Sequence, residues 1–360
     1  MAWLTGWSNR VQCTIDGTVP GLGASVTNGI ALVGVPAALK AVCQAAGQDL
    51  RFTAADGTTL LDYGIEDWSA AAPVCHVRVP TVATGNTIVY AYGGNAGASD
   101  AQNKSGVATD FAGYWPLGDA GPTYAYDWTA NANTGEKVGT LTWGATGKVD
   151  GGISGANAGR LDLGDKDSLN SPATTHKLSL AAWVNPIDTT GYRSILAGGL
   201  GDASSARVPY DSYVEPGTNQ LRFQHKDATG WYAVLSAGVF GVGVLTHFAV
   251  TFDDAAHEAR IYWNGVPEAP QTLLGMITRS LNGNPAYQEQ SIGGDPANGS
   301  RFNGVLDMLS LTDTIRSADQ LAYAAKSYPG SSMFAFGALE SVGGAWWHRN
   351  RIREQRRAVR

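Results

Sequence analysis

The chain has 360 residues, and 46 of them are Gly, about one in eight against a usual ~7%. Charged residues make up 16% of the chain, below the ~25% typical of a soluble domain, whereas the hydrophobic share of 44% is ordinary. This composition excludes a helical bundle, a coiled coil and a disordered chain. It predicts an all-β protein with many tight turns.

The charge is distributed unevenly along the chain. The total is −6, but residues 340–360 hold six Arg and two Glu, a local charge of +4, which leaves −10 for the rest. An acidic body with a basic tail is not typical of a nucleic-acid-binding domain, so we expect no nucleic-acid partner for the body.

The sequence predicts neither export by a standard signal nor insertion into a membrane. Residues 1–7 lack a basic region followed by an apolar run, and no stretch has the ~20 apolar residues of a membrane span. Three cysteines, Cys13, Cys43 and Cys75, form neither a disulfide framework nor a zinc motif, so we predict buried free thiols.

The first segment, residues 1–105, is predicted to be a β-sandwich. Residues 10–16, 74–79 and 87–92 alternate or run as strands, and turn residues separate them. The small and polar stretch 95–106 is the predicted domain boundary.

The second segment, residues 107–330, continues the pattern of short strands. Strands are predicted at 178–184, 246–252 and 259–263, and the last runs into Asn264-Gly265, a strong hairpin signal. Many short strands at this spacing predict two stacked antiparallel sheets, as in a jelly roll.

The end of the chain is predicted to contain a helix, then a Gly-rich segment and an Arg-rich segment. Residues 317–328 predict a short helix with Ser317 as its N-cap. Residues 331–360 then predict a Gly-rich linker and an Arg-rich attachment tail, whose docking residues would be Trp346, Trp347, Arg349, Arg351, Arg353, Arg356 and Arg357. The tail would dock on other structural proteins or on another copy of the chain. A nucleic-acid arm is an alternative, and an interfacial membrane helix ranks last.

Five motifs occur in order in the first segment: WLTGW at 3–7, QDLRF at 48–52, LLDYGIEDW at 60–68, HVRVP at 76–80 and YAYGGN at 90–95. On these motifs the segment resembles the domain of unknown function numbered 2341, which occurs in bacterial, archaeal and phage surface proteins.

A second set of motifs spans the following segment: YWPL at 114–117, DWTAN at 127–131 with Gly135, LAAWV at 180–184, THFAVTFD at 246–253, IYWNG at 261–265, IGG at 292–294 and FNGVLD at 302–307. They resemble the concanavalin A-like, laminin-G-type jelly rolls. Members of that fold bind sugars, bind proteins or do neither, so the resemblance implies architecture more than function.

No motif predicts catalysis, and we assign no catalytic residue. The β-glucan hydrolases of this fold supply their carboxylates from one strand, as Glu-x-Asp-x-Glu or Glu-x-Asp-x-x-Glu. Neither pattern occurs in this sequence. The acidic cluster Asp162, Asp165 and Asp167 surrounds Gly164 and is interpreted as a turn. A glycoside hydrolase stays the third alternative.

Calcium is the cofactor that the resemblance implies, because laminin-G-like folds often hold this ion with Asp carboxylates and backbone carbonyls. Asp127 and Asp307 match the family's recurrent acidic positions. The alternative is that each side chain caps a turn.

Aromatic residues and arginine in the predicted turns are candidates for ligand binding. Sugar rings stack on Trp and Tyr, while Asn, Asp and Arg bind their hydroxyl groups. The candidates are Trp231, Tyr232, Tyr192, Arg193 and Tyr213, with Trp231 as the best single residue.

The sequence therefore predicts two β-sandwich domains, the second a concanavalin A-like jelly roll, and a short basic tail. The favoured function is non-catalytic: a virion or surface protein, such as a phage adhesin, fibre or decoration protein, that displays a face for cell-surface glycans. It would assemble in the host cytoplasm, with a cell-surface or extracellular location as the alternative. A structural capsid or tail subunit without a ligand is the other leading hypothesis.

Overall fold

The computed structural model describes residues 2–118, 121, 123–188, 190–197, 210–226, 230–275, 290–295 and 300–342. They form two compact units: residues 2–103 together with 327–342, and residues 104–326. Strands dominate both units, which confirms the all-β prediction. None of the helices in the described part of the chain has the length and apolarity needed to cross a membrane.

The first unit contains two antiparallel sheets. Its strands, numbered along the chain, are β1 (Asn9–Asp16), β2 (Val26–Gly34), β3 (Arg51–Ala54), β4 (Leu60–Leu61), β5 (Tyr63–Ile65), β6 (Val74–Val82), β7 (Asn86–Gly93), β23 (Phe334–Phe336) and β24 (Glu340–Ser341). One sheet has the order β23-β1-β7-β3-β4, with β24 also paired to β1, and the other has the order β2-β6-β5. Helix α1 (Ala37–Lys40) lies between β2 and β3 in the sequence.

Residues 331–342, which we expected to form part of a linker, instead contribute two strands to the first unit. Both β23 and β24 pair with β1. The Arg10 guanidinium stacks over the rings of Trp3 and Tyr90, at 4.4 and 4.2 Å from their centroids, and its Nε lies 2.8 Å from Glu340 Oε2. Backbone pairing and this ion pair therefore hold the segment in place.

The cysteines of the first unit are free thiols, as predicted. Cys13 and Cys75 are buried, and Cys43 is partly buried. Burial raises the pKa of Cys13 to about 12, because a thiolate is poorly solvated in the core. The thiol thus stays protonated at neutral pH and packs as a small apolar group.

The second unit is larger and contains most of the strands. They are β8 (Gly113–Trp115), β9 (Tyr124–Ala125), β10 (Gly135–Ala145), β11 (Gly152–Gly164), β12 (Lys177–Pro186), β13 (Arg193–Ala197), β14 (Asp211–Val214), β15 (Gln220–Lys226), β16 (Trp231–Val239), β17 (Thr246–Asp253), β18 (Glu258–Trp263), β19 (Val266–Pro267), β20 (Gln271–Thr272), β21 (Gln290–Ile292) and β22 (Asn303–Thr312). The helices are α2 (Lys104–Val107), α3 (Pro172–Thr175), α4 (Ala318–Lys326) and a 3-10 turn at Asp167–Asn170.

Eleven of the fifteen strands of the second unit follow one hydrogen-bonded order around the main core, and β8, β9, β10 and β20 pair beside it. The order is β16-β15-β14-β13-β21-β11-β22-β12-β17-β18-β19. Strands β15 and β17 are far apart in this order, yet Phe223 and Phe252 meet with ring centroids 6.2 Å apart. Both side chains are fully buried, so the two strands face each other across the core, as in a β-sandwich.

Local sequence signals at two places in this unit are confirmed. Asn264 and Gly265 take positive φ angles of 50° and 87° between β18 and β19, the backbone that a tight hairpin turn requires. At the start of α4, Ser317 Oγ accepts from the Gln320 amide at 3.1 Å, and Gln320 Oε1 accepts from the Ser317 amide at 2.9 Å. This reciprocal pair is a capping box, so the helix begins where the sequence predicted.

The carboxylate of Asp127 organises the loop after β9. Its Oδ1 accepts from the amides of Tyr114 and Thr129, each at 2.9 Å. Its Oδ2 accepts from Thr129 Oγ1 at 2.7 Å and from the Asn133 amide at 2.8 Å. One buried side chain thus satisfies three backbone donors and ties the loop to β8.

We predict that Asp127→Ala destabilises the second unit by about 3 kcal/mol, because three backbone N–H groups lose a charged acceptor at a buried position. Chemical denaturation followed by tryptophan fluorescence measures the change. Glu136→Ala, at an exposed position of the same unit, is the control and should change stability by less than about 0.5 kcal/mol. Equal stability of the Asp127 variant and the control would contradict this role.

Candidate functional site

Strands β14, β15 and β16 carry a polar face on the side opposite the core. Leu221 and Phe223 of β15 are fully buried in the core, so the alternating residues Arg222 and Gln224 point the other way. In the pairing register Tyr213 lies opposite Arg222, and Asp211 lies opposite Gln224. The pairing of β15 with β16 places Trp231 on the same side of the sheet as Arg222 and Gln224. We call these five residues, Asp211, Tyr213, Arg222, Gln224 and Trp231, the Arg222 face.

A hydrogen-bonded network connects the polar members of the Arg222 face. Arg222 Nε donates to Gln224 Oε1 at 3.1 Å, and the Tyr213 hydroxyl donates to the same oxygen at 3.3 Å. Gln224 Nε2 donates to Asp211 Oδ2 at 3.3 Å. Glu215 Oε2 lies 3.7 Å from Arg222 Nη1 and gives the guanidinium an anionic neighbour. The network holds these side chains in fixed orientations before any ligand arrives.

Asp211 has an unusual environment. The residue is 5% exposed, and its Oδ1 accepts no hydrogen bond from any residue in the described part of the chain. Burial raises the pKa of Asp211 to about 8, and the negative charge of Asp295 adds to the shift, whereas the Gln224 hydrogen bond opposes it. Burial therefore favours the neutral form of the Asp211 carboxyl at pH 7.

Two predicted aromatic residues are half-exposed at or beside this face. Trp231 is 51% exposed and begins β16, and Tyr192 is 50% exposed. Tyr192 contacts Tyr213 edge to face, with ring centroids 5.2 Å apart and an interplanar angle of 84°. The structure thus groups Tyr192 with Tyr213 and places Trp231 on the same face.

Tyr232 lies on the opposite side of the sheet from Trp231, because adjacent residues of a strand point to opposite faces. It packs against the core and stacks on His225, with ring centroids 5.4 Å apart and an interplanar angle of 22°. His225 Nε2 donates to the Leu274 carbonyl at 3.0 Å. Tyr232 is therefore part of the core wall and is not a member of the Arg222 face.

Arg193 is also engaged within the protein. It is buried, its Nε donates to Asp188 Oδ1 at 3.0 Å, and its Nη1 donates to Asn157 Oδ1 at 3.2 Å. Burial tends to raise the pKa of Asp188, but hydrogen bonds from Arg193 and Asn303 outweigh it and lower that pKa. The guanidinium thus holds the loop before β13, so the structure places Arg193 in a supporting role rather than at a ligand surface.

The two carboxylates that we predicted as calcium ligands also have partners within the protein. Asp127 accepts four hydrogen bonds, as described above. Asp307 is fully buried, and its Oδ2 accepts from the amides of Lys148 and Val149 at 2.6 and 2.9 Å. Burial raises the pKa of Asp307 well above its ordinary value. In the described ranges no three His, Cys, Asp or Glu side chains converge to hold a metal ion, and calcium binding stays a prediction.

Sequence reasoning missed Asp211, Arg222 and Gln224. The signal for Arg222 and Gln224 is the alternation in β15, where Gln220, Arg222 and Gln224 interleave with the core residues Leu221 and Phe223. The signal does not reveal which strands lie beside β15, and that pairing is what joins Asp211 to Gln224. The predicted docking residues of the tail (Trp346, Trp347, Arg349, Arg351, Arg353, Arg356 and Arg357) lie outside the described residues.

Comparison with known structures finds similar chains at low sequence identity. Domain 4 of AbnA, an extracellular GH43 arabinanase from Geobacillus stearothermophilus solved with arabinotriose, is 17% identical; the match covers 60% of this chain and 98% of that one, with a TM-score of 0.47. The CBM40 of the Ruminococcus gnavus IT-sialidase, bound to α2,3-sialyllactose, is 15% identical, with 41% and 82% covered and a TM-score of 0.35. The receptor-binding domain of botulinum neurotoxin mosaic serotype C/D is 8% identical, with 62% and 51% covered and a TM-score of 0.43.

At identities of 17% or less and TM-scores of 0.47 or less, these likenesses assign neither a ligand nor a function to this chain. No curated protein matches the chain. Sequence profiles of two families do match it. Residues 46–135 match the domain of unknown function DUF2341, and residues 156–322 match Laminin_G_3 of the concanavalin A-like lectin/glucanases superfamily. The chain thus combines a DUF2341 segment with a concanavalin A-like domain, in the order that the sequence resemblance predicted.

Proposed function

We propose that the second unit is a non-catalytic glycan-binding domain whose ligand surface is the Arg222 face. One observation carries the proposal: a half-exposed Trp231 shares a sheet face with a guanidinium, an amide and a phenol that are already oriented. Sugar rings stack their C–H faces on indole, and planar polar side chains bind their hydroxyl groups. The concanavalin A-like architecture supports a surface of this kind.

Preorganisation supports binding at the Arg222 face. A side chain that is already fixed loses little rotamer freedom when a ligand arrives, and that loss costs about 0.5–1.5 kcal/mol for a mobile side chain. Arg222 and Gln224 are restrained by their mutual hydrogen bond and by Tyr213.

The proposal predicts that Trp231→Ala weakens glycan binding about tenfold or more, because the stacking surface is removed while the polar network stays. The measurement is binding of the full chain to a broad glycan array and to bacterial surface polysaccharides. Tyr126→Ala is the matched control, since Tyr126 is a similarly exposed aromatic residue, 48% exposed, outside the face.

Two results of that experiment would contradict the proposal. Specific binding that survives Trp231→Ala would place the ligand elsewhere. Binding to no glycan at all would favour the structural subunit without a ligand.

Repeating the array with calcium and with a chelator tests the role proposed for Asp127 and Asp307. An ion-dependent site loses binding with chelator even in the wild-type chain.

Asp211 favours one second candidate, a glycoside hydrolase. A buried carboxyl with a raised pKa beside another carboxylate, Asp295, has the character of a general acid. Asp211 would pass its proton to the glycosidic oxygen as the bond to the anomeric carbon breaks, and water would supply the hydroxyl group to that carbon and return its other proton to the Asp211 carboxylate.

If the second candidate holds, Asp211→Asn lowers the rate of hydrolysis by about a hundredfold or more, because the amide cannot give up a proton. The raised pKa means that the acid form is present at neutral pH and is lost as the pH rises through about 8, so activity should fall there. Release of reducing ends from any glycan that binds is the measurement, with Asp253→Asn as control. Absence of hydrolysis by the wild-type chain would exclude this candidate.

We also propose that the chain is a component of a phage particle, attached through its basic tail. The charge difference between residues 340–360 and the rest of the chain supports this role, because a basic segment pairs readily with an acidic partner surface. Gradient-purified particles from a producing culture should contain the chain, and removal of residues 343–360 should displace it. Recovery of the chain only from a secreted fraction without particles would contradict the idea.

A further inference from the structure

A cavity of about 600 Å³ opens in the second unit, away from the strands of the Arg222 face. Its lining comes from the loop before β8, the loop after β9, the 3-10 turn before α3, and the segment from β22 into α4. The volume is within the ~300–1,000 Å³ range of small-molecule sites. We call it the Arg316 cavity, and the lining residues that matter here are Phe111, Asn131, Ser171, Asp313, Arg316 and Gln320.

Contacts within the protein hold the walls of the Arg316 cavity. The Arg316 guanidinium stacks over the Phe111 ring at 4.4 Å, and its Nη2 donates to the Asp110 carbonyl at 3.3 Å. The Arg316 amide donates to Ser179 Oγ at 2.8 Å. In the loop after β9, Asn131 Nδ2 donates to the Ala112 carbonyl at 3.0 Å. These contacts fix the positions of the groups that line the cavity.

Two lining groups are available to a ligand. Ser171 Oγ is a buried atom without a hydrogen-bond partner among the described residues. A buried hydroxyl without a partner costs free energy that a ligand hydroxyl could recover. The Asp313 carboxylate, only partly buried, has no ion-pair partner in the described part of the chain and supplies acceptor oxygens.

The charges around the cavity narrow the ligand class. Asp110 and Asp313 outnumber Arg316 among the charged lining residues, so the net charge of the lining disfavours a negatively charged ligand. A hydroxyl group can donate to Asp313 and accept from Ser171 at once. We propose that the Arg316 cavity is a second binding site for an uncharged, polyhydroxylated molecule of one or two sugar rings.

This site goes beyond the proposed function, because it shares no residue with the Arg222 face. It sits on loops at the ends of β8, β9 and β22, whereas the Arg222 face lies along β14–β16. Occupancy of one site therefore does not require the other, and variants can separate them.

The test is saturation-transfer NMR and calorimetry on the full chain, with cellobiose, maltose and lactose as uncharged probes and glucuronic acid as the charged one. At least one uncharged probe should bind, and glucuronic acid should bind at least tenfold more weakly. Asp313→Ala should weaken the uncharged probe about tenfold, as expected for loss of a hydrogen bond to a charged group. Ser171→Ala is a smaller change that tests the same site.

Two control variants distinguish binding at the Arg316 cavity from binding at the Arg222 face. Asp253→Asn lies in β17, lines neither site and should leave binding unchanged. Trp231→Ala removes the stacking surface of the Arg222 face, so any binding of the uncharged probe that remains in this variant, and is lost on adding Asp313→Ala, belongs to the Arg316 cavity. The proposal is overturned if no uncharged probe binds the wild-type chain, if glucuronic acid binds equally well, or if binding survives both Asp313→Ala and Ser171→Ala.

Discussion

The two-residue period of a β-strand is the constraint on which the second unit depends. In β15 it sends Leu221 and Phe223 into the core and leaves Arg222 and Gln224 on the other side. A shift of one residue in register would bury the guanidinium and expose the phenylalanine, at a large cost in free energy. Core packing therefore determines which residues form the Arg222 face, and the candidate function follows from the fold.

The same period separates two neighbouring aromatic residues into different roles. Trp231 faces outward and is 51% exposed, whereas Tyr232 packs on His225 against the core. In a turn, both side chains could have reached one ligand. Because they begin a strand, only one of them can lie on the Arg222 face, and the other contributes to stability.

Carboxylates serve several purposes in the second unit, and their burial and hydrogen-bond donors distinguish them. Asp127 accepts four hydrogen bonds and holds a loop. Asp188 is kept ionised by Arg193 and Asn303. Asp211 has one weak amide donor, and its pKa of about 8 leaves it neutral at pH 7. Burial raises the pKa of Asp211, whereas hydrogen bonds from Arg193 and Asn303 lower that of the more exposed Asp188, so burial and donors together set the difference.

The sequence by itself determined the all-β class, the order of the two domains, the hairpin at Asn264-Gly265 and the start of α4. These features depend on local periodicity and turn chemistry, which neighbouring residues encode. Only the tertiary structure decided that residues 334–341 pair with β1 and that Asp211 meets Gln224. Strand pairing joins residues far apart in the chain through backbone hydrogen bonds that carry no side-chain signature, so the polar network of the Arg222 face could not be predicted from the sequence.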